Sequence, residues 1–403
     1  MNLITLNIDS IPLGRPLPFA LRGAQGALLA QRGYVIRNRA ELETLQARGV
    51  DLCVDTDESG DSHRTYLHQL HQMVGEDKAL GQIAKMQINA RDTVSASARE
   101  RAQQGPPAWL ELQMRASQLL RAPQVHDFGE RFHLLHEELA RHSQQQPDAT
   151  LLALIMLSAQ ETQMYSATHA VLVAAACMVT ARETLHWDEQ RTLQVGRAAL
   201  SMNIAMTALQ DHLALQTDPL SWPQIMAIEN HAAQSAQQLQ HLGVADPLWL
   251  EAVRRHHERT PGPLADKTPA EQLARLIQRA DVFGARIAPR ASRTPMLATA
   301  AMQGSYYDET RQVDEAGAAL VKTLGIYPPG TLVRLASQEV AVVLRRGASA
   351  TTPRVAVVLS RSGAPTGEMI PRDTTLAQWK ITAPMAYKDV RVSWPLERIL
   401  ALV

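Results

Sequence analysis

The 403-residue chain is poor in lysine, with six against thirty-four arginines and none between Lys85 and Lys267. Chemistry carried by that stretch must do without an ammonium group. Cysteine is scarcer still. Cys53 and Cys177 are too few and too far apart for a disulfide framework or a thiolate zinc site. Neither sign of charge is in excess, since Lys+Arg and Asp+Glu both number 40. A neutral chain has no general electrostatic footprint for nucleic acid or an anionic membrane. Long apolar runs are also missing, and nothing approaches the roughly 18 residues of a membrane helix. The opening MNLITLNIDSIPLGRPLPFA has no basic stretch ahead of an apolar one, as a secretory signal would. The expectation is a cytoplasmic protein with no nucleic-acid partner and no membrane insertion. What is present, 45% hydrophobic and 20% charged residues, suits a chain of two to three domains.

The pattern along the chain changes three times. Residues 1–57 read as a small β-rich module: ALLAQRGYVI, a short helix in RAELETLQARGV, then the strand-like DLCVD. Residues 58–108 are polar and read as a helical linker ending at Gly105-Pro106-Pro107. From 109 to 325 the period is helical, through LLALIMLSAQ, AVLVAAACMV, LQVGRAALSMNIAM, LWLEAVRRHH and AEQLARLIQRADVFGARI. Val195, Ala199, Met202 and Met206 in the third of these read as one continuous apolar face. Beyond Tyr327-Pro328-Pro329-Gly330, residues 326–403 turn β-rich in TLVRLA, EVAVVLRR and RVAVVLS. The fold class expected is mainly α: a central all-helical domain flanked by a β-rich N-terminal module and a β-rich C-terminal tail.

Fourteen histidines raise the question of a metal. His63, His68 and His71 stand in polar surroundings and read as surface residues, and His126-Asp127 reads as a local cap. His169, His231, His256 and His257 differ, because they fall within the helical domain together with Asp281. A lone histidine on an apolar helix face is usually a core residue. Several, with a carboxylate, on separate helices are how bundles assemble divalent metal centres.

YSATH, IENHAAQSAQQL, RRHHER and RADVFGARI, in this order and spacing, resemble the HD-GYP family. YPPGTLVRLASQEVAVVLRRG extends the likeness, as does the N-terminal PLGRPLPFALRGAQGALLAQRGYVI. The resemblance implies a helical HD-type domain whose active members hydrolyse cyclic di-GMP with two or three iron or manganese ions. It also implies His169, His231, His256, His257 and Asp281 as inherited metal ligands. Other family positions differ here. AALSMNIAM places Met202 on a metal-binding histidine, Asn203 on the bridging aspartate, Ala205 on a glycine and Met206 on the phosphate-steadying lysine. TPGPLADKTP replaces the Gly-Tyr-Pro loop, and Tyr165 stands where three-metal members place a glutamate.

Two divalent cations roughly 3.5–4 Å apart need a shared anionic ligand, and a neutral amide or a thioether supplies none. The expectation is therefore a degenerate centre with no intact catalytic residues. No cofactor is expected, beyond at most one weakly held divalent metal on the vestigial ligands. The function expected is a binding or regulatory role in cyclic di-GMP signalling. One alternative is an active phosphodiesterase with a reduced, iron or manganese site. Another is a dimerisation scaffold that binds no nucleotide. Arg254, Arg255, Arg259 and Arg293 are candidate phosphate contacts, or else a solvated helix end. Family analogy points to diguanylate-cyclase-type proteins as partners, and a homodimer is a further expectation.

Overall fold

A computed structural model describes 109–403, apart from 125, 126, 161, 260 and 391–393, and within the N-terminal stretch 3–5, 17, 21–23, 28–30, 34, 36, 38–49 and 52–55. The linker at 58–108, with His63, His68 and His71, lies outside the described residues, and so does His126. The chain divides into two units, Met1–Pro106 and Pro107–Val403.

In the first unit, strands β1 (Leu3–Thr5), β2 (Leu21–Gly23), β3 (Leu28–Ala30) and β4 (Leu52–Asp55) form an antiparallel sheet in the order β1-β4-β2-β3. Helix α1 (Arg39–Gly49) packs on β2, β3 and β4. Among the described residues Leu17, Leu21, Ala30, Ile36, Leu42, Leu52 and Cys53 are its buried apolar ones.

The second unit opens with helices α2 (Trp109–Arg121), α3 (Phe128–Gln145), α4 (Pro147–Ser158), α5 (Tyr165–Glu183) and α6 (Glu189–Ser201). After a 3-10 turn at Ile204–Met206 follow α7 (Thr207–Leu215), α8 (Trp222–His241), α9 (Pro247–Arg255), α10 (Pro269–Ile287), α11 (Ala298–Tyr306) and α12 (Glu315–Leu324). Helix α5 is the hub. YSATHAVLVAAACMVTA is buried along its whole length, as an element apolar on every side must be. It packs against α2, α3, α4, α6, α7, α10 and α12. Its N-terminus is capped from a distance: Asp211 Oδ1 accepts from the Ser166 amide at 2.8 Å while Oδ2 accepts from Arg121 at 2.8 Å. This satisfies an amide that the helix itself cannot.

Two sequence expectations are corrected here. LQVGRAALSMNIAM is not one helix, because α6 stops at Ser201 and Asn203 begins the 3-10 turn. Val195, Ala199, Met202 and Met206 are all buried, but they do not share one helical face. The cap reading at Asp127 also fails in its chemistry. Asp127 holds the N-cap position of α3 with φ 75°, yet its side chain makes no capping hydrogen bond.

The C-terminal strands β5 (Leu332–Leu335), β6 (Val340–Arg345), β7 (Arg354–Leu359), β8 (Pro365–Asp373) and β9 (Ile381–Met385) form an antiparallel sheet in the order β8-β7-β6-β5-β9. Leu152 and Met156 of α4 join Leu332, Val340, Val342, Ala356 and Val358 in one apolar cluster. Arg346 completes the join, bonding Asp148 at 2.6 Å and also Glu183. Gly330 of the YPPG turn has φ 85°, and a Cβ there would lie 2.7 Å from the Leu152 carbonyl. The turn therefore needs glycine both for its backbone angle and for its close approach to α4. A short helix, α13 (Leu396–Leu400), closes the chain against α4. The mainly helical architecture with a sheet at either end is the fold class expected from the sequence.

Candidate functional site

Four elements deliver the inherited residues. His169 lies in the second turn of α5, His231 midway along α8, and Asp281 on α10. His256 and His257 fall in the turn beyond α9, not on the helix itself. The local sequence accounts for that turn. Asp246 caps α9 through the Leu248 and Trp249 amides, with Pro247 in its first turn. Trp249 anchors the helix by donating its indole N–H to Ser201 at 2.8 Å and stacking on Phe132. At the other end Arg255 bonds Glu251, Glu258 and Glu271. Glu271 also closes the Thr268 capping box of α10, so the two histidines are held between two pinned helix ends.

His231, His256 and His257 form one cluster, with ligand atoms all within 4.8 Å of one another. His231 Nε2 lies 3.2 Å from His256 Nε2 and 3.2 Å from His257 Nε2. The tautomers of two members follow from their other contacts. His231 Nδ1 faces the Ile228 carbonyl, and His256 Nδ1 faces the Val253 carbonyl at 2.6 Å. A carbonyl can only accept, so each Nδ1 carries the proton. The two Nε2 lone pairs then point at each other and call for a cation between them. A proton is a poor choice there. Burial chiefly, and then the neighbouring His257 imidazole, push His256 down to about 3, and burial likewise lowers His231.

His169 and Asp281 pair with each other, His169 Nε2 lying 2.7 Å from Asp281 Oδ1. Burial alone would raise the Asp281 pKa, but the hydrogen bond and the charge of His169, helped by His257 and His256, hold it well below the usual carboxylate range. A Cβ at position 284 would sit 3.1 Å from His169 Nδ1, so Gly284 makes room for the ring. Tyr165 stacks on the same ring, nearly parallel to the imidazole with centroids 6.0 Å apart. The Tyr165 hydroxyl accepts from Arg290 Nε at 3.1 Å and Nη2 at 2.7 Å, and the guanidinium carbon lies 4.8 Å from the phenol ring centroid. Burial raises the Tyr165 pKa against the opposing charge of Arg290, so the phenol stays protonated.

The candidate arginines separate. Arg255 is spent on three carboxylates, Arg254 lies 3.7 Å from Glu251, and Arg259 is exposed. Arg293 is different. It donates to the Ala285 carbonyl and forms an isolated bridge with Arg290. Desolvation, and then repulsion by Arg290 and Arg286, lower its pKa. Among the described residues no carboxylate pairs with Arg286, Arg290 or Arg293. Sequence reasoning passed over Arg290 and the shaping role of Gly284. The available signal was the arginine pair that follows α10 in APRASR.

No family model matches the chain. Over 242 residues, 59% of the chain, it is 29% identical to the cyclic di-GMP phosphodiesterase PA4108 of Pseudomonas aeruginosa. The chain is similar to a cyclic di-GMP phosphodiesterase. This bears out the HD-GYP resemblance carried by the histidine motifs. The match spans 58% of that relative's length. Among solved structures, Bd1817, a HDG"Y"P protein from Bdellovibrio bacteriovorus, aligns at a TM-score of 0.43 and 16% identity, covering 79% of this chain and 98% of that one. No helix among the described residues is long and apolar enough to cross a membrane.

The residues present fit a carboxylate-bridged pair of metals poorly. Met202 is fully buried in the main apolar cluster. Asn203, on which the resemblance places the bridge, offers a neutral amide whose Oδ1 is buried with no hydrogen-bond partner among the described residues. His169 has its Nε2 committed to Asp281. Ala205 bonds Ser235 through its amide, and Met206 is buried. Among the described residues the histidine triad brings three imidazoles together, with the Nε2 atoms of His231 and His256 free of protons.

Proposed function

We propose that the protein is a cytoplasmic binding or regulatory component of cyclic di-GMP signalling that holds the nucleotide without hydrolysing it through a two-metal centre. The observation that carries this reading is the juxtaposition of two features. Arg290 and Arg293 lack carboxylate partners among the described residues beside Tyr165, and that tyrosine stacks on a His169–Asp281 pair bonded to itself. Guanidinium groups free of carboxylates suit phosphodiester oxygens. A neutral Asn203 does not bridge two cations. Kinship to PA4108 supports the choice of nucleotide. On this reading Arg254 and Arg255 serve the α9 turn, and Arg293 is the one of the four candidates that faces ligand, together with Arg290. The partner would be a protein of the same signalling system, of the diguanylate-cyclase type, or a second copy of this chain.

Calorimetry with cyclic di-GMP, paired with chromatography of the incubated nucleotide, tests the proposal. Binding with the nucleotide recovered intact is expected. Arg290→Ala or Arg293→Ala should each weaken binding about tenfold or more, since a hydrogen bond to a charged group contributes ~1.5–3 kcal/mol. Linearisation of the nucleotide would instead favour the second reading, hydrolysis at a reduced site, for which the triad is the supporting feature. Neither binding nor turnover would leave the scaffold reading.

A further inference from the structure

The same family resemblance implies iron or manganese in a centre of mixed histidine and carboxylate ligands, and this chain's residues point elsewhere. Three imidazoles converge at His231, His256 and His257. Two Nε2···Nε2 separations are 3.2 Å. One atom placed at a tetrahedral angle between such nitrogens lies about 2.0 Å from each, the ordinary zinc–imidazole length of ~2.0–2.1 Å. The rings of His231 and His256 are locked for this by their Nδ1–H bonds to Ile228 and Val253, the outer contacts that orient metal-binding histidines. Oxygen donors are short. Asn203 is neutral, and Asp281 gives Oδ1 to His169.

We propose that the triad is a single-ion site of imidazole ligands that selects a zinc-class cation over manganese, while His169 and Asp281 stand outside it as a metal-free pair. Nitrogen-only ligation favours zinc, nickel and copper, whereas manganese is best served by carboxylate and water oxygens. Three protein ligands also leave a coordination position open. The inference holds whether or not the chain binds cyclic di-GMP.

The full-length protein, stripped with a chelator and dialysed, is titrated with cobalt(II) as a spectroscopic probe. One cobalt per chain is expected, with the intense visible absorption of a four-coordinate ion. Zinc should abolish that absorption stoichiometrically, and a large excess of manganese should not. His257→Gln changes an exposed side chain and should lose the absorption while keeping its circular dichroism. His169→Gln should retain it. Two ions per chain, loss of the site in His169→Gln, displacement by manganese as readily as by zinc, or no cobalt uptake by the folded protein would each overturn the proposal. Should His257→Gln not fold, stoichiometry and manganese competition on the parent protein decide the matter.

Discussion

His136 offers a test of the core that is independent of the site. Its ring is fully buried in α3, stacked on Phe132, and neither nitrogen has a hydrogen-bonding partner of good geometry among the described residues. Burial chiefly, then the charges of Arg197 and His133, push its pKa from 6.5 to about 3, and the nearby Leu193 carbonyl offsets this only in part. The folded value lies below the unfolded one, so the unfolded chain takes up the extra proton as pH falls below 6.5. Stability is then lost on acidification, at up to ~1.4 kcal/mol per pH unit for this one group. Between pH 7 and pH 5 the loss due to His136 comes to about 2 kcal/mol. His136→Leu, similar in volume and unable to ionise, should fold and should lose less stability over that interval by the same amount. Urea denaturation of parent and variant at the two pH values measures this difference of differences. Equal acid sensitivity in the two proteins would refute the reasoning, because it would mean that His136 finds a proton or a partner in the folded state.

Gly196→Ala should destabilise by roughly 1–2 kcal/mol in thermal denaturation: a Cβ there would meet Met178 Sδ at 2.5 Å and His136 Nε2 at 2.7 Å, and overpacking outweighs the helix propensity gained. Asp211→Ala, which uncaps α5 and frees Arg121, should cost about 1–2 kcal/mol by the same measurement. The protein should purify without stoichiometric iron or manganese, as elemental analysis would show. Met202→His with Asn203→Asp should raise metal uptake in that analysis but restore little turnover, because Met206 supplies no ammonium and one missing electrostatic donor commonly costs ~10²–10³ in rate.

The helices were legible because their apolar residues recur at helical spacing and their ends carry capping chemistry, as Asp246-Pro247 and Thr268-Pro269 do. The two outer strands of the C-terminal sheet were not legible. β8 is largely exposed and contains Pro365 and Pro371, and β9 contains Pro384. Edge strands tolerate proline and need no apolar alternation, so they leave little trace in a sequence. The break after Ser201 was hidden for a related reason. Met202 and Met206 continue the α6 hydrophobic spacing, so nothing in the apolar pattern marks the end of the helix at Ser201. Within the site, the motifs brought out the histidines and Asp281. They could not show that His169 would turn to Asp281 and the other three to one another. That division depends on which ring nitrogen finds a carbonyl, a property of backbone placement around Ile228 and Val253.

The charge around the site supports a binding role over a two-metal one. A dinuclear centre draws its positive charge from bound cations and needs carboxylates to hold them apart and in place. Here Asp281 is the one inherited carboxylate, and it is matched by His169. Positive charge comes instead from Arg286, Arg290 and Arg293, for which no carboxylate is found among the described residues. Guanidinium charge does not titrate in the ordinary range and does not depend on metal supply. Tyr165 fixes one of these arginines through its hydroxyl and ring face at once. Removing metal should therefore leave nucleotide binding largely intact, whereas Tyr165→Phe, which keeps the ring but drops the hydroxyl acceptor, should weaken it by releasing Arg290. Calorimetry in the presence of chelator, on parent and Tyr165→Phe, separates the two contributions. Binding that vanishes with chelator and ignores the tyrosine would place the ligand on the triad's ion and not on the arginines.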